Sequence, residues 1–173
     1  QAARATGVGR AYLWEGGSLF IGRMQAVPTD LHFHHAIQIT LVAEGTVLFR
    51  TGHDDRWLPY RGVMIPTHQP HAFNGQDCVV AHIFVEPESR EGRAVAERYR
   101  LEALTPIPAG DFDATAPGLF AAWNERAADT RMITVARSVI ATLSAGVEPT
   151  TVVDERIVRA LDFIRRNLDK PIS

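Results

Sequence analysis

The pattern of hydrophobic positions divides the chain into two parts that meet near Pro87. Up to residue 85, short runs rich in valine, isoleucine, phenylalanine and threonine alternate with turn sequences that contain glycine, aspartate or asparagine, which is typical of β-strands. From residue 88 onward, apolar residues recur every three or four positions, as they do in amphipathic helices. We therefore predict a mainly β domain followed by C-terminal helices.

The first part is predicted to form eight short strands, at residues 11 to 14, 18 to 25, 31 to 43, 46 to 50, 56 to 60, 63 to 66, 71 to 74 and 78 to 85. No helix-length pattern separates these strands, which favours a closed barrel or a sandwich over a parallel α/β sheet. The second part is predicted to form helices at 89 to 103, 117 to 128, 131 to 145 and 151 to 169, with TPIPAGDFD as the loop between the first two.

Composition narrows the function classes. The 173 residues are 46% hydrophobic and 22% charged, as in an ordinary soluble domain, and the net charge of -2 provides no general attraction for DNA or an anionic membrane. The single cysteine, Cys78, has no partner for an internal disulfide, which indicates a reducing compartment. Because no apolar run approaches the length of a membrane span, we expect a cytoplasmic protein without membrane contact.

Histidines provide the candidate chemistry. Side chains alternate between the two faces of a strand, so a strand at 31 to 43 would place His32, His34 and Gln38 on one face and His35 on the other. His71 lies on a later predicted strand. These imidazoles could bind a metal ion, line a metal-free pocket for a sugar or an acid, or be satisfied by hydrogen bonds in the core. Two aromatic residues, Trp57 and Phe73, are candidates for stacking on a ligand.

Two sequence stretches resemble the motifs of the cupin superfamily. The first is HxHxxxQ followed by a six-residue gap and Gly45, and the second is the run from Pro66 to His71. In cupins the corresponding residues are metal ligands inside a small jelly-roll barrel, so the resemblance implies His32, His34, Gln38 and His71 as ligand-binding and metal-binding residues.

This sequence departs from the cupin pattern at three positions. Gln38 replaces the usual glutamate, His68 replaces the glycine of the second motif, and Ala26 replaces the first glycine. Three imidazoles and one amide would leave the charge of a divalent ion uncompensated unless an anionic ligand joins them. Imidazole-rich sites still suit Zn, Ni or Fe, so a transition metal and a metal-free pocket are both retained as expectations.

The end of the chain, VVDERIVRALDFIRRNLDKPIS, resembles the start of the DNA-binding region in the arabinose-regulator (AraC) family of bacterial transcription factors. The resemblance implies an N-terminal arm at 1 to 10, a cupin effector-binding barrel at 11 to 87, a helical region at 88 to 148, and a linker with the first helix of a helix-turn-helix domain at 149 to 173. The implied function is that of a sensor that binds a small-molecule effector and controls DNA binding by a domain beyond this helix.

Relatives in that family pair through helices that follow the barrel, which implies a homodimer. The helices at 117 to 128 and 131 to 145 have apolar faces broad enough for pairing, formed by Leu119, Phe120, Trp123, Met132, Val135, Val139 and Leu143. The alternative, to which we give equal weight, is that these faces only cover the barrel.

A cupin metalloenzyme, such as a dioxygenase or an isomerase, is the competing function. It would use the same three histidines and Gln38 around an ion with an open position. Such an enzyme normally needs an acid or a base near the site, yet the carboxylates of the predicted β region, Glu44, Asp54, Asp55 and Glu86, fall at turns or strand ends. We therefore predict no catalytic residue and favour the regulator.

We predict that residues 1 to 173 do not bind duplex DNA specifically, because their charge is nearly neutral and only one helix resembles the DNA-binding region. A gel-shift titration at physiological salt, with a promoter fragment and a scrambled duplex, should show no difference between the two. Tight binding that depends on the DNA sequence would contradict this prediction.

Overall fold

A computed structural model of the chain describes residues 7–24, 28–52, 56–75 and 77–149, together with Arg159, Phe163 and Asn167. The predicted turn around His53 and most of the predicted helix at 151 to 169 lie outside these residues, as do the first six positions of the predicted arm. In the part that the structure describes, no helix combines the length and the apolar character needed to cross a membrane.

The strands form two antiparallel sheets. In chain order, the described elements are β1 Gly7–Trp14, β2 Gly17–Met24, β3 Ile37–Val42, β4 Val47–Thr51, β5 Leu58–Tyr60, β6 Gly62–Ile65, β7 His71–Asn74, β8 Val79–Val85, α1 Arg90–Tyr99, β9 Thr105–Pro106, α2 Ala109–Asn124 and α3 Asp129–Ser144. The larger sheet has the order β1-β2-β8-β3-β6-β9, and the smaller one has the order β5-β4-β7. The predicted fold class, a mainly β jelly roll followed by helices, is confirmed.

The larger sheet is the middle of three layers. On β3, Ile39 and Leu41 pack in a core shared with the helices, whereas Val42 packs in a second core with residues of the smaller sheet such as Phe49 and Phe73. Because side chains alternate along a strand, each central strand supplies both cores. One face of the sheet is therefore the barrel wall, and its other face is covered by α1, α2 and α3.

The predicted loop TPIPAGDFD is wrong from Ala109 onward, because helix α2 begins there and not at residue 117. Pro117 is typical of a helix start, but here it lies inside the helix. Phe112, Ala116 and Leu119 form one buried stripe across it, and their burial offsets the roughly 3 kcal/mol that an internal proline costs. The Asp111 carboxylate also anchors the first turn by accepting hydrogen bonds from Arg98 (3.0 Å) and Tyr99 (2.7 Å) of α1.

Three other boundaries differ from the prediction. The strand predicted at 31 to 43 begins only at Ile37, because the preceding residues bond to a loop and to β7 through an isolated bridge and not to a neighbouring long strand. Strand β1 begins at Gly7, so residues 7 to 10 of the predicted arm belong to the larger sheet. The helical region contributes β9, which pairs with β6.

The apolar faces of α2 and α3 cover the barrel. Leu119, Met132 and Leu143 are fully buried within a single chain, and Phe120 and Val139 are nearly so. All belong to the core that the helices share with the larger sheet. These residues are therefore occupied by packing within the chain, and any dimer contact would have to use the outward faces of the helices.

Replacing Met132 with alanine should lower the free energy of unfolding by roughly 2 to 5 kcal/mol, because it leaves a cavity in this core. The control is Leu13→Ala, a side chain that is 76% exposed, which should change stability by no more than about 0.5 kcal/mol. Urea denaturation of both variants measures the difference. A Met132→Ala protein that dissociates without losing stability would contradict the packing described here.

Candidate functional site

A loop that precedes β3 closes one end of the barrel. The backbone of His32 exchanges two hydrogen bonds of 2.9 Å with that of His71, the first residue of β7. Thr29 also makes two hydrogen bonds to the backbone of Phe73. Its N–H donates to the Phe73 carbonyl (2.8 Å), and its hydroxyl oxygen accepts from the Phe73 N–H (2.9 Å). The loop that carries the first motif is thus fixed to the strand that carries the second.

This pairing brings three histidine rings together. The ring centroids of His32 and His71 are 4.5 Å apart, those of His34 and His71 are 5.1 Å apart, and those of His32 and His34 are 6.2 Å apart. His32 is exposed, His34 is partly buried, and His71 is only 1% exposed. The predicted reason for this grouping, alternation of His32 and His34 along a strand, is wrong. Both residues lie in the loop before β3, and their rings project from that loop.

Each of the three rings is oriented by a backbone carbonyl. The Nδ1 atoms of His32, His34 and His71 lie 2.9, 2.8 and 2.8 Å from the carbonyl oxygens of Asp30, Ala36 and Gln69. A carbonyl oxygen can only accept, so in each ring Nδ1 carries the proton and donates it. The lone pair of a neutral ring is then on Nε2, which is the arrangement found in metal-binding histidines whose other nitrogen is held by the protein.

Gln38 lies beneath these rings and is 4% exposed. Its amide nitrogen donates to the hydroxyl of Thr40 (2.9 Å) and to Nδ1 of His82 (3.1 Å), which also lies 2.9 Å from the Thr40 hydroxyl. With both amide hydrogens used in this way, the amide oxygen faces the other direction, 2.8 Å from His34 Nε2. His82 and Thr40 therefore set the orientation of Gln38.

Burial keeps the two inner histidines neutral. Desolvation lowers the pKa of His71 to about 4, and the neighbouring His32 and His34 lower it further while the bond to the Gln69 carbonyl opposes the shift. Desolvation lowers the pKa of His82 to about 3, with a smaller contribution from His71. Near neutral pH both imidazoles are therefore uncharged hydrogen-bonding or metal-binding groups.

A cavity of about 280 Å³ lies against this cluster. Its lining residues are Phe20, Met24, Thr29, His32, Gln38, His71, Phe73, His82 and Phe84. Four of them are apolar side chains, and none carries a carboxylate, an ammonium or a guanidinium group. Such a combination of apolar walls and a few convergent polar atoms is typical of a small-molecule site.

Of the two aromatic candidates, only Phe73 lines this cavity. Trp57 does not line it and stacks on Arg50, with 5.5 Å between the guanidinium carbon and the ring centroid. On β4 the buried Val47 and Phe49 alternate with Leu48 and Arg50. Arg50 therefore points out of the barrel and holds Trp57 there.

The cavity is also lined by three residues that were not among the predicted site residues: His82, Phe20 and Phe84. His82 lies opposite Thr40 in the β3–β8 register and opposite Phe20 in the β2–β8 register. Thr40 lies two residues after Gln38 and therefore on the same face of β3. Strand alternation is thus the available signal, but it becomes usable only when the pairing of β8 with β3 is known.

The nitrogen and oxygen donors of the site fit a metal ion in two respects. His71 Nε2 is buried and makes no hydrogen bond in the structure. His34 Nε2 and the Gln38 oxygen both present lone pairs at 2.8 Å, a distance that requires a proton or a cation between them. These two observations fit an ion held by His34, Gln38 and His71.

The three barrel histidines are not at the spacing of ligands to one ion. Among the described residues, only His35, Glu86 and Glu88 bring three ligand atoms within 4.8 Å of one another. An ion held by all three barrel histidines would therefore require at least one of their rings to move, and His32 is the exposed one.

Two other features lie outside the barrel. The exposed His35 contacts Glu88 at 3.0 Å and Glu86 at 3.6 Å, and these surface contacts link the loop to the residues before α1. A larger groove of about 640 Å³ lies between β1 and the α2–α3 turn, where Arg10 and Arg126 are among its lining residues. The barrel cavity is the better candidate because it contains an unpartnered buried polar atom, which the groove lining lacks.

The similarities of this chain to known proteins come from solved structures. No family model and no curated protein matches the sequence. The AraC-like transcriptional activator CuxR matches 90% of this chain with a TM-score of 0.54 and 13% identity, and the match spans 63% of the CuxR chain. A cupin-2 domain protein from Shewanella frigidimarina NCIMB 400 matches 46% of this chain and 79% of its own, at 14% identity and a TM-score of 0.38. The protein BH2720 from Bacillus halodurans matches 47% of this chain and 71% of its own, at 21% identity and a TM-score of 0.38. The likeness to CuxR shows that nearly the whole described architecture is a known one.

The buried histidines should make the metal-free protein sensitive to acid. The pKa of His82 falls from its ordinary value of 6.5 to about 3 on folding, so below pH 6.5 the unfolded chain binds a proton that the folded chain does not. Its contribution to stability is present above that pH and declines by up to about 1.4 kcal/mol per pH unit as the pH falls. Urea unfolding in EDTA at pH 7.5, 6 and 5 should show a smaller pH slope for His82→Gln than for the wild type. The exposed His68 offers the control, His68→Gln, which should keep the wild-type slope; equal slopes in all three proteins would contradict the account.

Proposed function

We propose that this chain is the effector-sensing part of an AraC-type transcription regulator. A small molecule enters the barrel cavity and binds beside His34, Gln38 and His71. The helical layer transmits the change to a DNA-binding domain that continues from the segment at 149 to 173. The regulator works in the cytoplasm as a homodimer and contacts DNA only through that domain.

Two independent observations support this proposal. The described architecture matches an AraC-like activator along 90% of the chain, and the terminal segment resembles the start of that family's DNA-binding region. The cavity adds a chemical argument, because it has buried donors and acceptors but no carboxylate that could transfer a proton. A cavity of this kind is suited to binding a molecule. Its two buried imidazoles are poor general bases near neutral pH, because desolvation lowers the pKa of His71 to about 4 and that of His82 to about 3. We therefore assign no catalytic residue and place the metalloenzyme second.

The observation that carries the choice of site is His71 Nε2. It is buried, its ring is fixed by the Gln69 carbonyl, and it has no partner in the structure. A buried polar atom without a partner costs about 1 to 3 kcal/mol, and a ligand or a metal ion that satisfies it recovers this energy on binding. This gain favours binding, and a sensor further requires that the gain differ between two conformations of the chain.

We further propose that a divalent transition metal, Zn, Ni or Fe, belongs to the site. His34, Gln38 and His71 would hold it, and His32 would close on it from the loop. When bound, the ion supplies a Lewis-acidic position for an oxygen atom of the effector. The protein's own residues do the rest: the carbonyls of Asp30, Ala36 and Gln69 orient the rings, and the aromatic walls exclude water.

The shared route from the site to the helices is β3 and β8. Gln38 and His82 face the cavity from these strands, while Ile39 and Ile83 face the helical layer from the adjacent positions. A shift of either strand on effector binding therefore reaches the core that α2 and α3 cover. This geometry supports coupling between the cavity and the helices without a separate hinge.

Native mass spectrometry and elemental analysis of the protein purified without a histidine tag will test the proposal. We expect a homodimer with about one transition-metal ion per chain, or with a retained small molecule. Monomeric protein that contains neither would contradict the proposal, and turnover of a bound effector would favour the metalloenzyme.

In the full-length regulator, His71→Ala should weaken effector binding about five- to two-hundred-fold, because the remaining partner loses a contact worth about 1 to 3 kcal/mol. Basal DNA binding should be unchanged. Trp57→Ala is the matched control, since Trp57 stacks on Arg50 outside the barrel and its loss should leave the affinity within about two-fold. Calorimetric titration measures both variants. Unchanged effector affinity in His71→Ala would place the sensing site elsewhere.

A further inference from the structure

The charge balance of the cavity identifies a requirement that the proposed metal imposes on the effector. None of the described residues that line the cavity is acidic or basic apart from the histidines. An imidazole binds a metal ion in its neutral form, so it adds no negative charge. A divalent ion at this position would therefore keep its full charge in a largely apolar enclosure, which is unfavourable unless a negative group accompanies it.

Gln38 is the residue that creates this requirement. A glutamate at this position would neutralise half of the charge of a divalent ion, whereas the residue present is a neutral amide. Its amide cannot ionise, and Thr40 and His82 fix its orientation so that only the oxygen faces His34. None of the described lining residues supplies the missing negative charge, so the bound molecule would have to bring it.

The walls of the cavity describe the rest of that molecule. Phe20, Met24, Phe73 and Phe84 form its apolar lining. The Phe73 ring meets His82 edge to face with centroids 5.0 Å apart, and the Phe84 ring meets His34 in the same way at 5.3 Å. These rings place apolar surface immediately beside the proposed ion position. A hydrophilic anion such as phosphate would lose its hydration there without gaining hydrogen-bond donors.

We propose that the effector is a small organic monoanion, with one carboxylate and an apolar body, and that it and the metal ion bind cooperatively because Gln38 leaves the ion's charge unbalanced. This inference rests on the proposed metal-dependent sensing site. Cooperative binding is reciprocal, so the anion raises the affinity for the metal by the same factor as the metal raises the affinity for the anion. Gln38 is in this sense the residue that determines the class of effector.

The test uses Co²⁺ as a spectroscopic probe and benzoate as the organic anion. The Co²⁺ affinity of the metal-free protein is measured by visible absorption, alone and with benzoate, benzyl alcohol or inorganic phosphate. Benzoate should lower the Co²⁺ dissociation constant by about ten-fold or more, within the usual range of coupling between two ligands. Benzyl alcohol has the same ring without the charge, and phosphate has charge without the ring; both should change the constant by less than about two-fold.

The Gln38→Glu variant provides the decisive comparison. It restores a negative charge inside the chain, so it should bind Co²⁺ more tightly than the wild type in the absence of anions, and benzoate should no longer improve the affinity. Asn124→Asp is the matched control: it makes the same amide-to-carboxylate change at an exposed residue of α2 that does not line the cavity, and it should retain the benzoate effect.

The outcomes separate this inference from the proposed function. Wild-type protein that binds Co²⁺ equally well with and without benzoate would overturn the anion requirement and leave the metal-dependent sensor standing. Equal enhancement by benzyl alcohol, or a benzoate effect that persists in Gln38→Glu, would overturn the role of charge. Absence of Co²⁺ binding under every condition would overturn both the metal site and this inference.

Discussion

Three hydrogen bonds from histidine Nδ1 atoms to backbone carbonyls are the constraint on which the site depends. They fix the rings of His32, His34 and His71 and put the proton of each ring on the nitrogen that faces the backbone. The carbonyls come from the loop before β3 and from the turn before β7, and the reciprocal bonds between His32 and His71 hold these two segments together. The segments that close this end of the barrel are therefore the same ones that orient the histidine rings.

The inner part of the site depends on a second network. The Gln38 amide, the Thr40 hydroxyl and the His82 ring satisfy one another in a region closed to water, so the amide oxygen faces His34. The same strands supply the core that the helices cover. Buried polar networks of this kind define a single arrangement of a core only when all their members are satisfied. His71 Nε2 is the exception, and it marks the position at which a ligand is expected.

The sequence predicted the fold class and most strand positions, because periodicity reflects local geometry. The rings of His32, His34 and His71 do lie close together, but a loop and not strand alternation places the first two. The sequence failed to predict the features that depend on long-range packing. The buried stripe through Phe112 and Leu119 outweighs the signal of Pro117 and starts α2 earlier. The contribution of His82 required the register of β8 against β3, and the outward position of Trp57 required the contact with Arg50 on β4. None of these pairings can be read from residues that are close in sequence.

The central claim is that three fixed histidines direct their lone pairs into one space. Nitrogen-15 NMR of the histidine side chains in the metal-free protein reports directly which ring nitrogen carries the proton. The account predicts protonated Nδ1 atoms in all three rings, and on addition of Zn²⁺ it predicts that the Nε2 signals of His34 and His71 shift while their Nδ1 atoms remain protonated. A proton on Nε2 of His71 in place of Nδ1, or Nε2 signals that do not respond to any divalent transition metal, would contradict it.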